Sequence, residues 1–240
     1  MKILDDLLST LNFDTQVRDI RQGIFQTAVL TRNCGLASTP HEHGHHHEAA
    51  PVEGAGVLTE KGVLEVAQMA YSSSLLEAAI GMATINSLLE IDERNCVLLN
   101  AGDLIAEKGM GNKVALIGHF PFVSRLRQMV KELWVIEQHP REGDFAEREA
   151  ERLVPQADVV GITGMTFTNH TVEGLLGLCR PDAYVIILGP TAPLSPILFH
   201  YGVDAISGTK IVDPEAVLRG VSQGATFRQL KGVRLLTMVK

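Results

Sequence analysis

The sequence contains few cysteines and few basic residues, and each shortage argues against a class of protein. Its three cysteines, Cys34, Cys96 and Cys179, lie far apart and form no C-x-x-C pair. This spacing indicates neither a disulfide framework nor a structural zinc site, and we expect three buried thiols. Basic residues are also scarce, because 21 lysines and arginines stand against 28 aspartates and glutamates. The resulting net charge of -7 argues against a nucleic-acid partner, which would need a basic face.

Long apolar stretches are missing as well. The most apolar runs, such as YVIILG, fall far short of the roughly 20 residues that a bilayer span requires. The opening segment MKILDDLLSTLNF places two aspartates among its apolar positions, whereas a signal peptide needs an uninterrupted apolar core. We therefore expect an amphipathic first helix in a cytoplasmic protein with no membrane partner.

The second half of the chain has a repeated unit. From Lys113 onward, short β-rich apolar runs alternate with helical segments, which is the pattern of parallel βαβ packing. The predicted strands are KVALIGHF, LWVIEQ, DVVGITGM, YVIILGP and DAISG, and the predicted helices are VSRLRQMVKE, FAEREAERLVPQ, TVEGLLGLC and DPEAVLRGVSQG. In the last helix, Asp213 is the expected N-cap, Pro214 the first residue and Gly224 the C-cap. This half is predicted to be Rossmann-like.

The first hundred residues do not show this alternation. IFQTAVLTR and CGLAST predict two antiparallel strands, and TEKGVLEVAQMAYSSSLLEAAIGMATINSLLE predicts two helices with a break at the serines. We therefore predict an α/β protein in which a small α+β domain, residues 1–105, precedes a mostly parallel sheet with flanking helices, residues 106–240. The segment AGDLIAEKGMGN between them predicts a short helix.

The strand ends carry the candidate site, because ligands of open α/β sheets bind at the carboxyl ends of the strands. The first strand ends in GHFPF, which lacks G-x-G-x-x-G, and Pro121 removes a backbone N–H that a phosphate cradle would use. A standard dinucleotide site is disfavoured. Glu137 ends the second strand at a position where an acidic residue often binds ribose hydroxyls. A nucleoside-type cofactor is therefore one interpretation of Glu137, and a solvated strand-end carboxylate without a ligand is the other.

The later strand ends are polar too. In GITGMTFTNHTVEG, Thr168 or Asn169 is expected to cap the next helix, with Glu173 in its first turn. Capping does not account for all the hydroxyls, so Thr163 or Asn169 could also contact a ligand. The prolines of LGPTAPLSP predict a preorganised loop, suited to ligand recognition or simply a rigid turn. Lys210, after the fifth strand, could pair with an anionic group.

Five segments together resemble a known family: GMATINSLL, VALIGHFPF, ADVVGITGMTFTNHTVEGLL, VIILGPTAPLSPILFHYGVDAISG and IVDPEAVLRGVSQG. They are similar to the two-domain prokaryotic family of heavy-metal chelation proteins, for which no reaction is established. The resemblance spans nearly the whole chain and is more specific in the second half. It implies an enolase N-terminal-like domain followed by a Rossmann-like domain, with the active site in the cleft between them and some similarity to Rossmann-type methyltransferases.

The resemblance also implies which residues form the site. His119, Glu137 and Asn169 are the candidates for catalysis, with His119 as general acid or base. The implied ligand-binding residues are Asn86, Phe120, Thr163, Gly164, Thr171, Gly189, Pro190 and Thr191. Among the other histidines, His170 also follows a strand, whereas His139 and His200 are expected to be structural.

A histidine-rich stretch, HEHGHHHE at residues 41–48, is the most unusual feature of the sequence. The flanking prolines and the glycine inside it indicate a loop. Imidazoles at this spacing can converge on Zn²⁺, Ni²⁺, Co²⁺ or Cu²⁺. The candidate metal ligands are His41, His43, His45, His46 and His47. An unstructured solvated loop and a pH-responsive lid are the alternative interpretations.

Three functions remain open at this point. The first is a heavy-metal handling protein that binds a transition-metal ion or its small chelate in the interdomain cleft. The second is an enzyme for condensation, hydrolysis or group transfer on a pterin-, flavin- or siderophore-like molecule. The third is a sensing or interaction module without chemistry. A homodimer is the expected assembly, because two-fold homo-oligomers are common.

Overall fold

The first half of the chain forms a small antiparallel sheet with helices beside it. The computed structural model describes residues 1–40 and 52–240, so all five loop histidines lie outside the described residues. The strands are β1 (Asp19–Gln22), β2 (Gln26–Leu30) and β3 (Cys34–Ser38), paired in that order. The sequence predicted only β2 and β3. Strand β1 was missed because all four of its residues are partly exposed, so it lacks the alternation that marks a half-buried strand.

In the described part of this half, the α-helices are α1 (Lys2–Ser9), α2 (Val63–Gln68) and α3 (Leu75–Leu88). The predicted break at the serines is the start of α3, where the Ser74 hydroxyl accepts the Glu77 N–H. Helix α3 is apolar on nearly all sides and is almost entirely buried. It packs directly on β3 at Gly35, where a Cβ atom would lie 2.1 Å from the Ala83 carbonyl oxygen.

The second half is built on an eight-stranded sheet. Its strands are β4 (Cys96–Val97), β5 (Lys113–Ile117), β6 (Glu132–Glu137), β7 (Phe145–Ala146), β8 (Val159–Thr163), β9 (Tyr184–Leu188), β10 (Ala205–Ile211) and β11 (Val233–Val239). The spatial order is β4-β11-β10-β9-β8-β5-β6-β7. Strands β5 to β10 are parallel, and β11 pairs antiparallel with both β10 and β4. The predicted Rossmann-like architecture is confirmed, and its topological switch point lies between β5 and β8.

The helices of this half are shorter than the sequence predicted. They are α4 (Ala101–Gly109), α5 (Val123–Leu126), α6 (Ala150–Leu153), α7 (Met165–Thr168), α8 (Val172–Leu178) and α9 (Pro214–Ser222). The segment predicted as one helix over FAEREAERLVPQ instead begins with β7, and its last turn around Pro155 is a 3-10 turn. Helix α9 begins as expected, with the Asp213 carboxylate accepting the Ala216 N–H at 3.0 Å.

Strand β10 runs further than the sequence predicted. Lys210 therefore lies inside a strand and not after one, and its ammonium group pairs with Glu93. Strand β11 was not predicted at all, although it pairs with β10 over seven residues. The extra length of β10 is explained by this partner, because a strand extends as far as its neighbour supplies backbone hydrogen bonds.

The two halves share one apolar core. A single cluster of buried side chains includes Leu4 of α1, Ile85 of α3 and Ile187 of β9. Helix α1 is also held to the second half by polar contacts, because the Glu173 carboxylate accepts the Ile3 N–H at 2.6 Å and the Tyr201 hydroxyl donates to Asp6. Across residues 1–40 and 52–240, no helix has the length and apolarity to span a bilayer.

Only one of the three cysteines is a buried thiol as expected. Cys34 is buried in β3, whereas Cys96 and Cys179 are partly exposed. Burial, assisted by the negative charge of Asp19, raises the pKa of the Cys34 thiol to about 12. Burial likewise raises the pKa of Cys179 to about 11. Both thiols are therefore protonated and weakly nucleophilic at neutral pH.

Candidate functional site

A cavity of about 320 Å³ lies at the carboxyl ends of β5, β6 and β8, next to the topological switch point. We call it the switch-point cavity. Its polar wall contains His119, Glu137, Glu147, Thr163, Asn169 and Thr171. The described residues that line it all belong to the second half of the chain. Five of the predicted site residues named here therefore come together at the position where open α/β sheets bind ligands.

Glu137 joins the ends of two strands. Gly118 turns the chain after β5 with a φ of +108°, a conformation that favours glycine. The next residue, His119, donates its backbone N–H to Glu137 Oε1 at 2.6 Å. One carboxylate oxygen is thus used within the protein, whereas the second accepts no hydrogen bond from residues 1–40 and 52–240 and can accept one from a ligand.

The His119 side chain is oriented by an aspartate that the sequence analysis missed. Nδ1 of His119 lies 2.9 Å from Asp144 Oδ2. The Asp144 side chain is 1% exposed, whereas the His119 side chain is 26% exposed. An ionised carboxylate can only accept hydrogen bonds, so Nδ1 carries the proton and Nε2 is left as the open ring nitrogen. Within the described part of the chain, Nε2 makes no hydrogen bond.

Asp144 is itself held in place by the turn before β7. The Arg141 N–H donates to Asp144 Oδ2 at 3.3 Å, and the Asp144 N–H donates to the Arg141 carbonyl at 3.0 Å. The Arg127 guanidinium lies 3.7 Å from Asp144 Oδ1. Asp144 follows His119 by 25 residues, and no motif links the two positions. The parallel pairing of β7 beside β6 brings this turn to the same sheet edge, and no pattern in the sequence predicts that pairing.

The hydroxyl-rich segment after β8 is used partly for local structure. Asn169 Oδ1 accepts both the backbone N–H of Thr171, at 3.2 Å, and its hydroxyl, at 2.7 Å. Thr171 is the N-cap residue of α8 and makes no side-chain capping bond. The expected cap by Thr168 or Asn169 is therefore wrong, since Asn169 binds the N-cap residue and Thr168 is fully buried at the end of α7. Asn169 also lines the cavity, and its amide nitrogen makes no hydrogen bond within the described part of the chain.

A second cavity, of about 660 Å³, lies on the other side of the switch point. Its wall includes Phe120, Phe122, Gly189 and Arg228, and it reaches the first half of the chain at Ser38. The rings of Phe120 and Phe122 stack in parallel, with centroids 5.3 Å apart and planes 6° apart. The two cavities share Phe120 and Thr163 as lining residues.

Three more of the predicted ligand residues, Asn86, Gly164 and Thr191, lie in a joint between the halves, which we define as these three together with Ser38. Asn86 Nδ2 donates to the Leu36 carbonyl at 2.8 Å and to the Thr191 carbonyl at 3.2 Å. Thr191 Oγ1 accepts the Ser38 N–H at 2.9 Å. Asn86 Oδ1 is buried and has no hydrogen-bond partner among the described residues.

Gly164 and Pro190 belong to the same region. A Cβ atom on Gly164 would lie 2.4 Å from the Ala192 backbone nitrogen, so only glycine allows the loops after β8 and β9 to touch. The Pro190 carbonyl lies 3.4 Å from Asn86 Nδ2. His170 is also used in contacts between the halves, because its Nε2 bonds the Ala70 carbonyl at 2.8 Å and its φ is +61°.

The described side chains form no ready-made site for a resident metal ion. Over residues 1–40 and 52–240, no group of three or more His, Cys, Asp or Glu side chains is placed to hold one. The described side chains alone therefore do not fit a transition-metal cofactor, which takes three or four protein ligands. The loop histidines lie outside this test.

The fold is that of an α/β protein in which a small antiparallel sheet precedes a Rossmann-like, mostly parallel sheet with a cavity at its switch point. Two family models match the chain, one over residues 4–89 and one over residues 100–240. Both are described as "Putative heavy-metal chelation". The chain belongs to this family.

Relatives and solved structures agree with this assignment. An uncharacterised protein of Methanocaldococcus jannaschii is 29% identical over 181 residues, which cover 72% of this chain and 69% of the relative. Two crystal structures of proteins of unknown function, from Desulfitobacterium hafniense and Pyrococcus horikoshii, each match with a TM-score of 0.85. They are 24% and 22% identical, and each match covers 100% of this chain and 98% of the other. At these identities the structures support the fold alone.

Proposed function

We propose that this protein handles a transition metal as cargo, bound together with a small organic chelator at the carboxyl edge of the large sheet. The observation that carries the proposal is the open imidazole nitrogen of His119, which Asp144 directs by holding Nδ1. A neutral imidazole nitrogen whose partner nitrogen donates to a carboxylate is a typical metal ligand. The family description, heavy-metal chelation, agrees with this chemistry.

The chelator is part of the proposal because the described side chains are too few to complete a coordination shell. His119 Nε2 and the carboxylates of Glu137 and Glu147 lie on the cavity wall, but among the described residues they are not placed as a group of three that could hold an ion. A transition ion needs about four ligands, so the remaining donor atoms would come from a bound small molecule. The loop histidines would deliver or guard the metal. The proposal retains the cytoplasmic setting and the homodimer expected from the sequence.

The test is to measure metal content and chelator-competition affinity on untagged protein. We compare the wild-type chain with two variants, one in which the five loop histidines are alanine and one carrying His119→Gln. If the proposal is correct, His119→Gln lowers affinity for a zinc chelate at least about tenfold, because loss of a group that merely supports a metal ligand already costs about 10–100-fold. Removal of the loop histidines lowers metal content of the purified protein. Equal metal content and affinity in all three proteins would rule out the proposal.

A second candidate function is general acid–base catalysis on a heterocycle in the switch-point cavity. The specific observation that favours it is the His119–Asp144 pair, because a carboxylate that fixes the imidazole tautomer is what acid–base catalysis by histidine requires. Glu137 or Asn169 would orient the substrate. The test is to incubate the protein with pterins and flavins and to follow product formation by mass spectrometry. Turnover that His119→Gln abolishes would support it, and no turnover by the wild type would count against it.

A further inference from the structure

The second cavity is separate from the switch-point cavity. Phe120 and Thr163 line both of them and therefore form the wall between them. The second cavity is the larger, about 660 Å³ against about 320 Å³, and lies within the roughly 300–1,000 Å³ that small-molecule sites occupy. The function proposed for the switch-point cavity makes no use of it. Its own lining residues therefore decide what it can bind.

Two phenylalanine rings form a preorganised wall of the second cavity. The rings of Phe120 and Phe122 stack with centroids 5.3 Å apart and planes 6° apart. Phe122 packs directly on the start of α4, where a Cβ atom on Gly102 would lie 2.8 Å from Phe122 Cδ1. Because the rings are held by this packing, they need little ordering when a ligand binds. Such a surface favours a planar aromatic ligand, which stacks with centroids about 4.5–7 Å apart.

Three polar side chains of this cavity are already hydrogen-bonded within the protein. Ser207 Oγ and Thr237 Oγ1 lie 2.6 Å apart, and Thr237 Oγ1 donates to the Leu99 carbonyl at 2.7 Å. Asn100 Oδ1 accepts the Gly102 N–H at 2.8 Å. Apolar side chains form much of the remaining wall, among them Leu188, Phe227 and Leu235. The body of a ligand in this cavity therefore makes mainly apolar contacts.

One positive charge in the second cavity is uncompensated. Asp103 and Arg125 both line the cavity and form an ion pair with each other at 2.5 Å. Arg228 also lines it and makes no ion pair with residues 1–40 or 52–240. A guanidinium group matches a carboxylate in shape and charge, because its parallel N–H donors can bind both oxygens. The lining thus combines an aromatic surface with a single available cation.

We propose that the second cavity binds a planar aromatic carboxylate as a ligand of its own, held entirely on its side of the wall formed by Phe120 and Thr163. The aromatic ring lies against Phe120 and Phe122, and the carboxylate pairs with Arg228. This site goes beyond the function proposed above, because it uses no metal ion and shares only the dividing wall with the switch-point cavity.

Three probes separate the contribution of the ring from that of the charge. 2-Naphthoate has both, 2-naphthamide keeps the planar ring without the charge, and decahydro-2-naphthoate keeps the charge and the apolar bulk without the planar ring. Calorimetry gives their affinities for the wild-type chain. We expect naphthoate to bind about threefold more tightly than naphthamide, as for one exposed ion pair. It should bind about fivefold more tightly than the saturated acid, as for one aromatic contact.

Two variants test the residues. Arg228→Gln should weaken naphthoate binding about threefold, with a loss that shrinks at high salt, and should leave naphthamide binding unchanged. Phe122→Leu removes the ring but keeps an apolar side chain, and should weaken the binding of both aromatic probes about fivefold. Arg219→Gln is the matched control, because Arg219 is exposed on α9, lines neither cavity and carries the same charge.

Far-UV circular dichroism checks that each variant is folded. If Phe122→Leu does not fold, the comparison of naphthoate with the saturated acid on the wild type still tests the aromatic wall. The inference is overturned if naphthoate does not bind the wild type, or if the saturated acid binds as tightly. It is also overturned if naphthamide binds as tightly as naphthoate and Arg228→Gln has no effect.

Competition with zinc nitrilotriacetate separates this inference from the proposed function. We expect no competition, because the two ligands occupy different cavities. Displacement of naphthoate by the zinc chelate would place both in one cavity and would overturn the inference. A chain that binds naphthoate as expected but no zinc chelate supports the aromatic acid site and counts against the proposed function. A chain that binds the zinc chelate but no naphthoate gives the reverse result.

Discussion

Polar residues at the ends of β5 and β6 and polar residues after β9 lie on the same edge of one sheet, yet the structure uses them differently. After β5 and β6, His119 and Glu137 line an open cavity. After β9, Thr191 is buried and hydrogen-bonded to the first half of the chain through Ser38 and Asn86. Motif residues at a strand end can therefore form a ligand site or a structural joint.

What separates the two outcomes is the element packed against each strand end. Helix α3 and strand β3 lie against the loop after β9, and their backbone and amide groups satisfy its polar atoms. The switch-point cavity is lined, as far as the structure describes it, by second-half residues alone. Its polar atoms therefore keep open positions, which are the positions that a ligand needs.

Gly164→Ala should give the largest effect and should act on stability at the joint. The added Cβ atom would lie 2.4 Å from the Ala192 nitrogen and 2.8 Å from the Thr191 carbonyl carbon, so two backbone segments must separate. We expect a loss of about 3 kcal/mol in the free energy of unfolding. The measurement is urea unfolding followed by the fluorescence of Trp134, the one tryptophan of the chain.

Gly174→Ala is the matched control for this change. Gly174 lies in α8, is exposed and has nothing within 4 Å of an added Cβ atom. Alanine there should stabilise the protein by about 0.5 kcal/mol, because it favours the helix. A Gly164→Ala variant as stable as the wild type would mean that the joint is not tightly packed in solution.

Asn86→Ala should have the next largest effect and tests whether Asn86 belongs to the joint or to the ligand site. The change removes donors to the Leu36 and Thr191 carbonyls, and we expect a loss of about 2 kcal/mol in stability. Affinity for a zinc chelate should stay unchanged, because Asn86 lines neither of the two cavities. Asn112→Ala, at an exposed position, should stay within about 0.5 kcal/mol of the wild type. Lost affinity without lost stability would assign Asn86 to a ligand instead.

The sequence predicted the large sheet well because its parallel strands are buried on both faces. Runs such as KVALI and YVIIL are apolar throughout, which distinguishes them from helices and from loops. It failed at β1 and β7, which are short and partly exposed, and at β11, whose pattern of exposed and buried residues is irregular. Helix lengths were overestimated where Pro155 and short turns interrupt a helical composition.

The site was predictable in part. Strand-end positions identified His119, Glu137 and Thr163, because the carboxyl ends of parallel strands meet at one edge. The partner of His119 could not be predicted, since Asp144 lies in a turn whose place depends on β7 pairing with β6. The roles of Asn86 and Thr191 could not be predicted either. Their side chains hydrogen-bond to backbone groups of the other half, and every residue type carries such backbone groups. The sequence therefore does not show where these hydrogen bonds form.

Asp144→Asn should have the smallest effect on stability and the most specific effect on the site. We expect a change of about 1 kcal/mol or less in unfolding free energy, because the variant keeps the shape of the side chain, Asp144 Oδ1 accepts no hydrogen bond among the described residues, and its ion-pair partner Arg127 is partly exposed to solvent. The tautomer of His119 should change, however. A carboxylate can only accept the Nδ1–H, whereas an amide can either accept that proton or donate to Nδ1.

Nitrogen-15 NMR of the imidazoles measures this directly. In the wild type, His119 should be protonated at Nδ1, and in the variant a substantial fraction should move to the Nε2–H form. Glu147→Gln is the control, because Glu147 lines the same cavity and makes no hydrogen bond to the ring in the described structure. The resonances of His170 and His200 should stay unchanged in both variants. If His119 keeps one tautomer in Asp144→Asn, then the cavity wall, and not Asp144, orients the imidazole, and the open nitrogen at the ends of β5 and β6 needs another explanation.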